Sequence, residues 1–128
     1  MTPVNHPVSG PALSFVLADE IVKVREALAA HGTRSARTLI KSGPLRVTLV
    51  GLAPGGGLKP HHADGPIMIQ VIHGAIEFAS EGQQWRLAPG SIFTLAAGLT
   101  HSVESPEGAI FMLTVAATGA HVPDPGQL

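Results

Sequence analysis

The stretch LKPHHADGPIMIQVIHG, residues 58–74, decides how this chain folds. From Ile67 to His73 it is short, rich in Ile and Val, and bounded by ADGP on one side and Gly74 on the other, which is the signature of a β-strand. Both of its alternating faces are apolar except for Gln70 on one and His73 on the other, so the strand is expected to be buried. Just before it stand two adjacent histidines, His61 and His62, after the glycine-rich APGGGL at 53–58. That segment lacks the Lys-Ser/Thr ending and the following helix of a phosphate loop and reads as a strand-connecting turn.

Outward from this stretch the same pattern repeats. ARTLIK, LRVTLVGLA, AIEFAS, QWRLA, SIFTLAA, HSVE and AIFMLTVAA are further strand-like runs, so eight short strands are expected in an antiparallel sandwich or barrel. Fifteen glycines and eleven prolines mark the turns between them. One segment departs from this pattern. ADEIVKVREALAAHG, residues 18–32, places Ile21, Val24 and Leu28 on one helical face, with Asp19 as cap and Gly32 as stop. The expected organisation is an arm at 1–18, a helix at 19–32, a barrel at 33–118 and a tail at 119–128.

Composition narrows the function. At 128 residues, 45% hydrophobic and only 13% charged, the chain can close one core. A net charge of −1, with Arg86 the only Lys or Arg in the second half, gives no basic footprint for nucleic acid. With no cysteine, a metal would be held by nitrogen and oxygen atoms. The opening MTPVNHPVSGPA is not a signal peptide and no apolar run is long enough for a bilayer, so a cytoplasmic protein without membrane contact is expected. Strand edges and the leading LSFVLA suggest a homodimer formed by sheet extension or a swapped arm.

The glycine and histidine spacing resembles that of the cupins, the RmlC-like jelly rolls. Gly55 stands five residues before His61, and Gly74 closes the first motif; GSIFTLAAGLTHSVES supplies Gly90, Gly98 and His101 of the second. The resemblance covers Leu45 to Ala117 and implies a mainly β jelly-roll barrel with one N-terminal helix. It departs from the family where the ligands should be. The second histidine position is Ala63, the glutamate position Ile67, and the motif's Pro and Asn are Ala96 and Ser105. The residues match a subgroup of small cupins whose first motif runs H-x-A-x-G-P and then Q-V-x-x-G, for which no general activity is implied.

His61 and His101 hold the family's ligand positions and are the expected metal pair, with His62 in reserve, because neighbouring strand residues face opposite sides unless a bulge intervenes. Zn, Ni, Fe or Mn are the ions considered. Gln70 has two readings. With Met68 and Ile72 it lines the cavity and binds ligand or metal, or it pairs with backbone at a bulge or a subunit interface. Alternation puts it out of phase with Ile67, the motif's glutamate position. His73 is expected to be exposed, and His6, His31 and His121 to lie in the arm, helix end and tail. Glu77 and Glu81 are expected on a solvated hairpin, and Trp85, Phe78, Phe93 and Phe111 in the core. Two functions follow: a metal-dependent oxygenase or isomerase on a small organic substrate, or a binding cupin that clamps a carboxylate or hydroxyl. No catalytic residue is assigned. The lack of an inward carboxylate favours the second.

Overall fold

A computed structural model describes residues 6–117 of the chain. After the helix α1 (Leu17–His31) the strands run β1 (Arg34–Ser42), β2 (Leu45–Leu52), β3 (Gly56–His61), β4 (Ile67–Gly74), β5 (Ile76–Ser80), β6 (Gln83–Leu87), β7 (Ile92–Leu95), β8 (His101–Ser105) and β9 (Ala109–Ala116). They form a five-stranded sheet, β1-β2-β9-β4-β7, and a four-stranded sheet, β3-β8-β5-β6, with antiparallel pairing. Inward side chains of both sheets, among them Ile69, Val71, Phe111 and Leu113 from one and Leu58, Phe78, Leu87 and Val103 from the other, make one core. This is the jelly-roll barrel expected from the sequence, with a single helix among the described residues.

Three local expectations change. The helix starts two residues early, at Leu17, and Val16 caps it without a side-chain hydrogen bond; Asp19 and Glu20 lie in the first turn, where their charges suit the helix dipole. Gly32 stops it as expected, at φ 109° with its N–H donating to the Leu28 carbonyl. The turn read at APGGGL, 53–58, is shorter than expected, and residues 56–61 form a ninth strand among the described residues. Its glycines hid it, yet Gly57 is required there: a Cβ at this position would stand 2.5 Å from the Val103 carbonyl oxygen of β8. The tail at 119–128, His121 included, lies outside the described residues.

Helix α1 lies on the outer face of the larger sheet. Ile21 and Val24 pack there with Leu39, Val47, Leu49 and Ile110 in a second core. Arg37 of β1 is fully buried beneath it, its Nε 3.3 Å from Oε1 of Glu20, to which His6 (3.4 Å) and Lys23 (3.5 Å) also turn. The pair fastens the helix to the sheet. Farther along the same outer face, Gln70 sits opposite Ile92, which is 67% exposed, and beside Met68, 38% exposed.

Candidate functional site

The site begins with a bulge. Leu58 of β3 pairs with Val103 of β8, and the next registered pair is His61 with His101. Three steps along β3 therefore match two along β8, which is one extra residue. Leu58 points inward, so strict alternation would turn His61 out; the extra residue turns it back in and leaves His62 exposed. Pro60 sits inside the irregular segment, on a strand with a neighbour on one side only, where its missing N–H breaks no ladder.

His61 and His101 thus meet directly across the strand pair, with ring centroids 4.4 Å apart and planes at 62°. His101 is buried, and Phe78 stacks on it at 5.3 Å and 14°. Both rings are oriented in the same way from their own chain. Nδ1 of His61 donates to the Lys59 carbonyl at 2.6 Å, and Nδ1 of His101 donates to the Leu99 carbonyl at 3.0 Å. A carbonyl only accepts, so each Nδ1 carries a proton, and a ring in its neutral form keeps its lone pair on Nε2. The Nε2 of His61 is shielded from solvent and has no hydrogen-bond partner among the described residues. Burial lowers the His61 pKa below its ordinary value; the Lys59 carbonyl opposes this, while the charges of His101, Arg34 and His62 add to it. Its neutral form is therefore the one the fold favours.

Such an arrangement takes electron-pair acceptors. Nδ1 tied to a backbone carbonyl and Nε2 free is the outer-shell pattern that orients a metal-binding histidine. The His61 Nε2, without a partner among the described residues and on a ring 4.4 Å from that of His101, suits a divalent ion that the two imidazoles would share. The rest of a ligand set is absent: no group of three or more His, Cys, Asp or Glu is gathered among the described residues. Ala63 and Ile67, at the motif's other ligand positions, are buried and apolar.

Comparison with known proteins places this barrel. Residues 53–123, more than half of the chain, match the model of the AraC-like ligand binding domain. The chain belongs to that family. No curated protein is a match to the chain. Among solved structures it is similar to a cupin superfamily protein from Desulfitobacterium hafniense (14% identity, TM-score 0.66, covering 68% of this chain and 80% of that one). An RmlC-like cupin from Shewanella frigidimarina is similar to the same degree (18%, 0.64, 70% and 80%). Salicylate 1,2-dioxygenase from Pseudaminobacter salicylatoxidans superposes over 88% of this chain and 37% of its own at 16% identity and TM-score 0.75. Identities this low establish the cupin fold alone.

Within this AraC-like domain the sequence-derived residues separate into two groups. His61 and His101 come together. Met68, Gln70 and Ile72 do not join them, because the register pairs Ile67, Ile69 and Val71 inward with Val115, Leu113 and Phe111. Gln70 is exposed, and Ile72 packs in the outer core under the helix. Their place as cavity lining is corrected: the motif position Ile67, not the polar Gln70, marks the inward phase. His73 is exposed, as expected. Sequence reasoning missed the role of the aromatics. Phe78 and Phe111 are core, but Trp85 and Phe93 are only partly buried and touch at 4.9 Å. For Trp85 the available signal was its place on a short, mostly polar strand, QQWRL; Phe93, in IFTL, carried none.

Proposed function

We propose that this cupin is a small-molecule-binding domain in which His61 and His101 hold a divalent cation through their Nε2 atoms, the cation and the aromatic wall beside it receiving the ligand. One observation carries the reading: both Nδ1 atoms are tied to backbone carbonyls, and the His61 Nε2 is left buried and without a partner among the described residues. A bound ion would supply open coordination positions for a ligand oxygen. The match to a ligand-binding family supports the small molecule. An enzyme of the oxygenase kind would require a further protein ligand, and the motif offers Ala63 and Ile67. Without the ion the same two lone pairs accept a hydrogen bond from a hydroxyl; neutral imidazoles tied at Nδ1 have nothing to donate to a carboxylate.

The test is calorimetric titration of Ni(II) or Zn(II) into chelator-treated protein without a His tag. One ion per chain is expected at pH 8, with affinity at least tenfold lower in His61→Ala or His101→Ala. Uptake retained in the double variant would refute the site.

A further inference from the structure

The side chains of the barrel core are buried, His101 among them, and a ligand must move some of them to reach the histidine pair. Among the hydrophobic residues packed against this core, three are only partly buried: Trp85, Phe93 and Leu95. All three lie on β6 and β7. These are the end strands of different sheets, β6 pairing with β5 and β7 with β4, so no backbone ladder joins them to each other. What spans the gap is the contact of Trp85 with Phe93 at 4.9 Å. Parting the two strands here breaks side-chain contacts and no ladder hydrogen bond.

Behind that contact the rings continue inward without interruption. Phe78 meets Phe93 at 4.7 Å and Trp85 at 6.4 Å, and its other neighbour is His101 at 5.3 Å, which in turn meets His61. A ring that displaced Trp85 or Phe93 would lie against Phe78, which stands between that position and His101, so Phe78 must turn aside as well before a substituent reaches the imidazoles. The nearby cation on β6 is already engaged: Arg86 bonds Glu77 at 3.1 Å and Glu107 at 2.6 Å. No countercharge is therefore free on β6 for an anion.

We propose that the β6/β7 edge is the entrance to the histidine site, that Trp85 and Phe93 part and Phe78 turns aside to admit the ligand and then pack on it, and that the ligand is a compact, planar molecule that presents a hydroxyl to the metal-free imidazoles. This rests on His61 and His101 being the anchor of the proposed site. Aromatic faces select the planar body, and the two bare Nε2 atoms, which only accept, select the hydroxyl, whereas a bound cation would turn the preference toward a carboxylate.

Trp85 is the single tryptophan of the chain, so its indole N–H gives one signal in a ¹⁵N-edited spectrum. The probes are benzyl alcohol, toluene and benzoate, added at pH 8 to chelator-treated protein. Benzyl alcohol is expected to shift the indole signal saturably, several-fold tighter than toluene and at least tenfold tighter than benzoate. Phe93→Leu, which keeps an apolar side chain in place, should weaken it at least fivefold. His61→Ala with His101→Ala should abolish the preference for alcohol over toluene while toluene still binds. An indole signal that no probe shifts, a preference for benzoate, or an alcohol preference that survives the double variant overturns the proposal. If that happens while Ni(II) uptake still depends on the histidines, the cation site stands without this entrance. If the alcohol preference depends on the histidines but Ni(II) uptake does not, the entrance stands and the cation reading falls.

Discussion

Replacing His61 by phenylalanine is expected to stabilise the metal-free protein while abolishing cation binding. The buried Nε2 of His61 has no partner among the described residues, and an unpaired buried acceptor costs about 1–3 kcal/mol. Against that stands the Nδ1 bond to the Lys59 carbonyl, of the kind that contributes about 0.5–1.5 kcal/mol. Lys59 is exposed, so water replaces that donor and the loss falls at the lower end. Phenylalanine keeps an aromatic ring against His101, and a swap this close in size costs less than about 1.5 kcal/mol. The balance is a gain of roughly 1 kcal/mol, or about 3–5 °C in Tm for a domain of this size. Thermal and urea unfolding at pH 8 with a chelator present measure it. With Ni(II) at a hundred times its Kd the order should reverse, because only the wild type gains the roughly 2.7 kcal/mol of linked binding. A His61→Phe protein less stable than wild type by more than about 1 kcal/mol without metal would mean that Nε2 is already satisfied, and the argument for the site would fail.

The lowered pKa of His61 fixes the sign of a pH effect. The unfolded chain takes up this proton near 6.5 while the folded chain resists it to lower pH, so stability should fall as pH drops below about 6.5. His61→Phe should lose that part of the slope, which urea midpoints at pH 8, 6 and 5 would show. Arg37→Met leaves Glu20 buried with His6 and the half-exposed Lys23 as its remaining partners among the described residues, and should destabilise by about 3 kcal/mol or more; adding Glu20→Gln should restore at least half, and a double variant no better than the single one would contradict the pairing. Gln70→Leu on the outer face should stay within about 0.5 kcal/mol of wild type and leave Ni(II) uptake unchanged; lost uptake would return Gln70 to the interior.

The jelly roll was legible because its strands are short, β-branched and separated by Gly and Pro, signals that act locally. The strand β3 was not, since Gly57 serves a close approach to the Val103 carbonyl rather than a turn, and a close approach is a property of two strands at once. The Glu20 and Arg37 pair was hidden for a related reason. Each residue looks like ordinary surface charge in its own segment, and only the crossing of helix and sheet buries them together.

The two histidines were legible through spacing and not through alternation, and the bulge explains why. Counting faces from Leu58 sends His61 outward, whereas the motif spacing counted from Gly55 already contains the extra residue. Alternation describes a regular strand, while a motif spacing records the path of an irregular one. The same distinction resolves Gln70. Its polarity in an apolar strand pointed inward, the motif position Ile67 pointed to the opposite phase, and the two could not both hold. Register follows the larger buried set: Ile67, Ile69 and Val71 together remove far more apolar surface from water than one amide could offset, so the strand turns that set inward and leaves the amide to solvent.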